Sequence, residues 1–333
     1  MKLIVTIDTE EDEWGNFRST GHSVKNIANI PELQAIFNRN EIKPTYLVNY
    51  AVASQDWAVD ILKEVMLDQR CEIGSHCHPW NTPPYEEETS AFNSMLCNLP
   101  PILQKEKLSS LTHLIENKFG VKPVSFRSGR WAGSDSVADS LVELGYLVDS
   151  SITPYTNWST YFGPDYSLRS PQMFWLRFGG EVAFERSLLE IPVSVGYLGG
   201  NFALKNEIHR VLSRRWIRRT RLIGLLDRLK LLKKVTLSPE LSSVEEMISL
   251  SETMIDCGFE FLHMYFHSPT LKVGSTSYVK TSAERNVFLR KLESYFSYAN
   301  FKGFKSISLS EVAIDHKASV VANGYFHDNK YLS

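Results

Sequence analysis

Two of the nine histidines in this 333-residue chain, His76 and His78, flank one cysteine in the stretch EIGSHCHPW, 72–80. In an extended segment residues i and i+2 point to the same side, so both imidazoles face one spot and Cys77 faces away. Asp8 and Glu10, in TIDTEED (6–12), have the same spacing and can also face one cavity. A carboxylate plus two imidazoles is a three-ligand metal set that leaves a position open for water. A bound divalent ion would lower the pKa of that water and polarise a substrate carbonyl. The second carboxylate is then placed to act as general base, and Arg127 can pair with it by charge. A histidine from the far side would protonate a leaving nitrogen, with Asp149 orienting its ring. These are the parts for metal-assisted hydrolysis of an amide or ester. Taken alone, His-x-His also reads as a polar strand end whose rings cap backbone groups.

The elements that must position these groups alternate along the chain. Strand-like runs lie at 3–8, 44–50, 71–76, 123–129, 147–152, 188–195, 260–268 and 304–312. Helix-like runs lie at 27–40, 57–68, 102–120, 134–146, 205–234, 243–256 and 281–299, with Ser134 as an N-cap and Gly120 as a stop. Alternation of this kind predicts a parallel sheet with helices outside it, here a single closed or nearly closed barrel. Asp8 and Glu10, His76 and His78, Arg127 and Arg130, Asp149, and His263 and His267 all fall at or near strand C-terminal ends. Those ends line the active site in parallel α/β barrels, whereas chance would scatter such residues over both ends.

Bulk properties narrow the class. Hydrophobic residues make up 43% and charged residues 22%, which suits a soluble globular protein with a sizeable core. A net charge of −2 gives no overall bias toward nucleic acid. The four cysteines form no CxxC pair and read as reduced thiols. The N-terminus MKLIVTIDTEEDEW turns acidic too soon for a signal peptide, so the expected location is the cytoplasm.

Five segments, TIDTEED, EIGSHCHPW, SFRSGRW, VDSSI and YFHSPTL, resemble in order the five motifs of the polysaccharide deacetylase family, the NodB-homology or carbohydrate esterase 4 group. The resemblance runs from Thr6 to about Val312, where LSEV is similar to the final strand of the family. Members from O-antigen and capsule gene clusters are the nearest branch. The resemblance implies a distorted (β/α)7 barrel, a divalent metal, usually zinc, and removal of acetyl from an N-acetylated sugar. It implies Asp8 as catalytic base, Glu10, His76 and His78 as metal ligands, Arg127 as partner of the base, His267 as general acid and Asp149 as the carboxylate tethering that acid. The chain departs from the family pattern in two places. Thr9 separates two carboxylates that are usually adjacent, and the second motif is His-x-His where His-x-x-x-His is usual.

Trp80, Tyr85 and Trp131 are candidates to stack on a sugar ring, with Arg130 and His263 on the cleft wall. The aromatic-rich segment 153–187 reads as an insertion over the sheet. The segment 209–235 is strongly basic, with one acid, Asp227, and interleaved leucines. It reads as an amphipathic helix on the barrel or as a surface for weak contact with an anionic membrane. Domain limits are expected at 1–315 for the barrel and 316–333 for a tail. Three other functions stay open: a metal-independent amidohydrolase on another C–N bond, a glycoside hydrolase, and a barrel that binds glycan without cutting it. Asp8 and Glu10 on one strand stand too close for the inverting glycosidase geometry.

Overall fold

The computed structural model describes residues 1–13, 15, 17–68, 70–177, 187–213, 222–229, 231–323 and 328–329. The first half alternates strand and helix: β1 (Lys2–Thr9), α1 (Ile30–Arg39), β2 (Thr45–Val48), α2 (Tyr50–Ala53), α3 (Asp56–Met66), β3 (Glu72–Cys77), α4 (Pro101–Phe119), β4 (Ser125–Ser128), α5 (Asp135–Leu144) and β5 (Val148–Asp149). There follow β6 (Phe174–Arg177), β7 (Ser187–Glu190), β8 (Val195–Tyr197), α6 (Phe202–Leu212), α7 (Leu222–Arg228) and β9 (Lys234–Thr236). The chain closes with α8 (Val244–Asp256), β10 (Phe261–His267), α9 (Ser282–Phe301), β11 (Lys305–Ser306), α10 (Leu309–Asn323) and β12 (Asp328–Asn329).

Seven parallel strands run in the order β10-β1-β2-β3-β4-β5-β7, and β6 joins the β7 edge antiparallel. The fold is therefore the expected distorted (β/α) barrel, curled but not fully closed by strand pairing. Ser194, just past β7, reaches across the gap: its N–H donates to His263 O at 3.0 Å, and its Oγ accepts from His263 N at 2.8 Å. Strand β1 is buried almost throughout because it lies between β10 and β2 with helices over one face. That explains why LIVTI reads as a continuous apolar run and not an alternating one.

Local signals account for most helix ends. Ser134 Oγ accepts from Val137 N, and Gly120 ends α4 at φ 72°. Ser243 with Glu246, and Thr281 with Glu284, form reciprocal caps for α8 and α9.

Three expectations are corrected. LSEV is not a strand: β11 ends at Ser306 and Leu309 opens α10. Ser308 and Glu311 bring this about, since the Glu311 carboxylate accepts from Ser308 N at 2.9 Å and Ser308 Oγ at 3.1 Å. Consequently the limit expected at 315 falls inside α10. The basic segment is not one helix either. It holds the end of α6, then α7, then β9, which pairs antiparallel with β8. Arg214, Arg215, Arg218 and Arg219, which carry much of its charge, lie outside the described residues. Among the described residues no helix is long and apolar enough to cross a membrane.

Candidate metal and active site

The chain leaves β1 at Thr9 and turns under the C-terminal edge of the sheet. Asn26 Nδ2 donates to Glu10 O at 2.8 Å, and Glu10 N donates to Ser268 Oγ at 3.1 Å, which fixes the turn. Glu10 then meets the two histidines of β3 and its exit. Glu10 Oε2 lies 3.3 Å from His76 Nε2 and 3.2 Å from His78 Nε2, and the two Nε2 atoms are 3.0 Å apart. All three residues are buried.

The second nitrogen of each ring decides what this triangle is for. His76 Nδ1 faces the carbonyl of Arg127 at 3.0 Å, and His78 Nδ1 faces the Glu11 carboxylate at 3.1 Å. Both partners are acceptors, so both Nδ1 atoms carry the hydrogen and both Nε2 atoms present lone pairs. Two lone pairs and a carboxylate oxygen thus converge with no donor between them. A cation resolves that arrangement. Ligand atoms around a tetrahedral ion at ~2.0–2.1 Å stand roughly 3.3 Å apart, which matches the spacing here. In the bare site a proton takes the place of the ion. Burial opposes charge on His78, but the charge of Glu11 and the hydrogen bonds to Glu10 and Glu11 outweigh it and raise its pKa to about 10. Burial likewise opposes charge on Glu10, yet the two imidazoles beside it, His76 and His78, hold its carboxyl far below the usual range.

Glu11 was not among the residues anticipated from sequence. Its carboxylate accepts from Trp80 Nε1 at 3.1 Å, Asn81 Nδ2 at 3.0 Å and Asn49 Nδ2, besides His78. The acidic run EED was the available signal, but strand alternation places Glu11 opposite Glu10 as long as β1 is assumed to continue.

Beside the triangle lies a buried ion pair. Arg127 Nη1 donates to Asp8 Oδ1 at 2.6 Å, Nη2 to Thr6 Oγ1 at 2.8 Å and Nε to Ser150 O at 2.9 Å. Asp8 Oδ2 faces His267 Nε2 at 3.7 Å, the two residues being register partners on β1 and β10. The carboxylate at the far side of the His267 ring is Glu240, not Asp149. Glu240 Oε2 lies 2.8 Å from His267 Nδ1, and its Oε1 accepts from His267 N at 3.1 Å and from Thr270 Oγ1. Burial opposes charge on His267, but Glu240, Glu10 and Asp8 raise its pKa to about 9. Asp149 sits fully buried on β5, where Ser151 Oγ donates to it at 2.5 Å. Glu240 follows β9 in the loop SPEL and carries no spacing signal that links it to residue 267.

One cavity of about 280 Å³ is lined by Asp8, Glu10, Glu11, His76, His78 and His267 together with Gly15, Phe17, Trp80, Ser128, Arg130 and Trp131, while Arg127, Glu240 and Asp149 do not line it. Trp80 stacks on His78 with ring centroids 4.1 Å apart. Tyr85 is half-exposed in an adjoining groove that shares Phe17 and Trp80 with the cavity. His263 does not line the cavity. It is fully buried behind Arg127, its Nε2 3.3 Å from Arg127 Nη2 and 3.0 Å from Thr6 Oγ1. The described part of the insertion leaves the cavity open and braces its wall, since Tyr166 Oη donates to Trp131 O at 2.9 Å.

The fold is a distorted (β/α) barrel that the chain shares with solved structures of several activities. It is similar to a Mycobacterium smegmatis structure assigned as a polysaccharide deacetylase, at TM-score 0.56 and 15% identity over 100% of this chain and 93% of that one. It is also similar to Puue allantoinase, at TM-score 0.53 and 13% identity over 97% and 91% of the two chains. A third likeness is to a 4-alpha-glucanotransferase from Thermococcus litoralis, at TM-score 0.53 and 12% identity, where all of this chain spans 42% of the other. The sequence matches no protein-family model and no curated protein.

Proposed function

We propose that this protein is a metal-dependent hydrolase that removes acetyl from an N-acetylated sugar. The observation that carries the reading is the convergence of Glu10 Oε2, His76 Nε2 and His78 Nε2, each ring having its Nδ1 on an acceptor, beside an acid and a base of opposite duty. Glu10, His76 and His78 would hold the ion, and a two-nitrogen, one-oxygen set suits zinc. Bound there, a divalent ion supplies polarisation of the acetyl carbonyl and a lowered pKa for water.

The chain's own groups divide the proton traffic. Asp8, anchored through Oδ1 to Arg127, offers Oδ2 to the cavity and takes the proton of the attacking water. His267, with Nδ1 committed to Glu240, is protonated at neutral pH and gives the Nε2 proton to the departing amine. Trp80 and Trp131 provide apolar faces for the sugar ring. A role in surface-polysaccharide assembly rests on the likeness of the five motifs to those of O-antigen and capsule enzymes.

The test is elemental analysis of purified protein together with acetate release from N-acetylated sugars. About one zinc per chain, with acetate release abolished by chelation and restored by zinc, supports the reading. Turnover that is indifferent to chelation in fully stripped protein ends it in favour of metal-free amide hydrolysis.

A further inference from the structure

One charged group of the cavity has no task in this scheme. Arg130 lies at the wall, with its backbone in the left-handed region at φ 55° and that of Trp131 at 61°. Residues other than glycine hold this conformation only where the surroundings impose it. The Arg130 guanidinium lies over the Phe17 ring at 5.3 Å. Its hydrogen bonds, to Ser94 Oγ and to Ala91 O at 3.4 Å, both leave from Nη1. Among the described residues, Nε and Nη2 therefore keep three donors without an acceptor.

No described carboxylate pairs with Arg130. The carboxylates that line the cavity are committed elsewhere: Asp8 to Arg127, Glu10 to the two histidines and Glu11 to His78. Burial already works against the charge of Arg130 and lowers its pKa. A half-buried guanidinium with a free fork and no counter-ion is completed by an anion, which its planar donors hold in a bidentate manner.

We propose that Arg130 is the anion-recognising group of the cavity and that the N-acetylated sugar bound there carries an acidic substituent, a phosphate or a carboxylate. The acetyl half of that statement rests on the deacetylase reading, whereas the anion half rests on Arg130 alone.

Trp80 and Trp131 line the cavity, so their fluorescence reports its occupancy without turnover. N-acetylglucosamine, N-acetylglucosamine 1-phosphate and N-acetylmuramic acid are titrated into the protein as purified, and again after chelation so that anions held by an ion are separated out. At least one charged sugar is expected to bind tenfold or more tightly than the neutral one, in both states. Arg130→Gln should erase most of that margin, and Arg130→Lys, with a point charge in place of the fork, should keep part of it. Whichever charged sugar shows the margin identifies phosphate or carboxylate as the group. Equal affinities, no binding of either charged sugar, or a margin that survives in Arg130→Gln overturns the proposal. Acetate release is followed on the same sugars: an Arg130-dependent margin without release sinks the deacetylase reading and leaves the anion site standing.

Discussion

His76 Nε2 and His78 Nε2 stand 3.0 Å apart, each on a ring whose other nitrogen is already bound to an acceptor. Two such lone pairs repel unless a cation lies between them. Single His76→Ala and His78→Ala variants should each lose the ion, measured by elemental analysis. Retention in either variant would show that one ring is dispensable. Because His78 is protonated in the bare site up to about pH 10, ion uptake displaces a proton. Affinity should therefore rise with pH below that value, which a chelator competition at pH 6, 7 and 8 would read.

Glu11 orients His78 and never touches the triangle's centre. Removing such an orienting partner costs roughly 10–100-fold in metal affinity. Glu11→Gln should fall in that range by competition titration while keeping a native circular dichroism spectrum. An unchanged affinity would show that Trp80 stacking alone holds the ring.

Asp8→Asn should retain the ion and lose roughly 10²–10⁴ in kcat, the usual worth of a positioned base. Acetate release measured beside metal content separates the two effects. Wild-type turnover in this variant would exclude Asp8 as base.

The pH profile should expose Glu240. His267 is raised from 6.5 to about 9, so it stays protonated as a general acid until the pH climbs through about 9, where kcat/KM should fall. In Glu240→Gln that alkaline limb should move down toward 6.5. Stability follows the same sign: the charged pair contributes fully below pH 6.5, and its contribution is lost as pH rises through about 9. Thermal melts of the two proteins should therefore converge at high pH.

Gly129 packs directly against the His78 ring. A Cβ there would collide with His78 Cδ2 and stand 2.7 Å from Cys77 O. Gly129→Ala should displace the His78 ring, lower metal content and reduce Tm. Full metal content in this variant would mean that the β3 exit can shift without harm.

What could be read without coordinates follows from periodicity. The i, i+2 pairs Asp8/Glu10 and His76/His78 do face one cavity, although Glu10 and His78 lie just past the ends of β1 and β3 and are held there by the turns that follow. The order of strand and helix held because periodicity is a local property that survives folding. Glu240 and Glu11 were missed because their positions depend on where the chain leaves a strand, which no periodic pattern records. His263 was placed on the cleft wall because its even spacing from His267 puts both on one side of β10. The distance along that strand, four residues deeper, leaves it sealed behind Arg127. The strand expected over LSEV failed because Ser308 and Glu311 form a cap that outweighs the preceding β-like alternation.

Asp8 and His267 are neighbours only because β1, at one end of the chain, pairs along its length with β10. Residues 10, 76 and 78 are all synthesised long before residue 267. A ribosome-bound fragment ending after β4 would thus own every ligand of the metal triangle, yet lack the acid and leave one edge of β1 unpaired. Contacts that span most of the sequence form late and slowly in folding. The exposed edge is a site for mispairing in the interval. On the proposed reading, ion capture would therefore precede catalytic competence, and the protein's yield in cells should depend on how quickly its last third reaches its first strand.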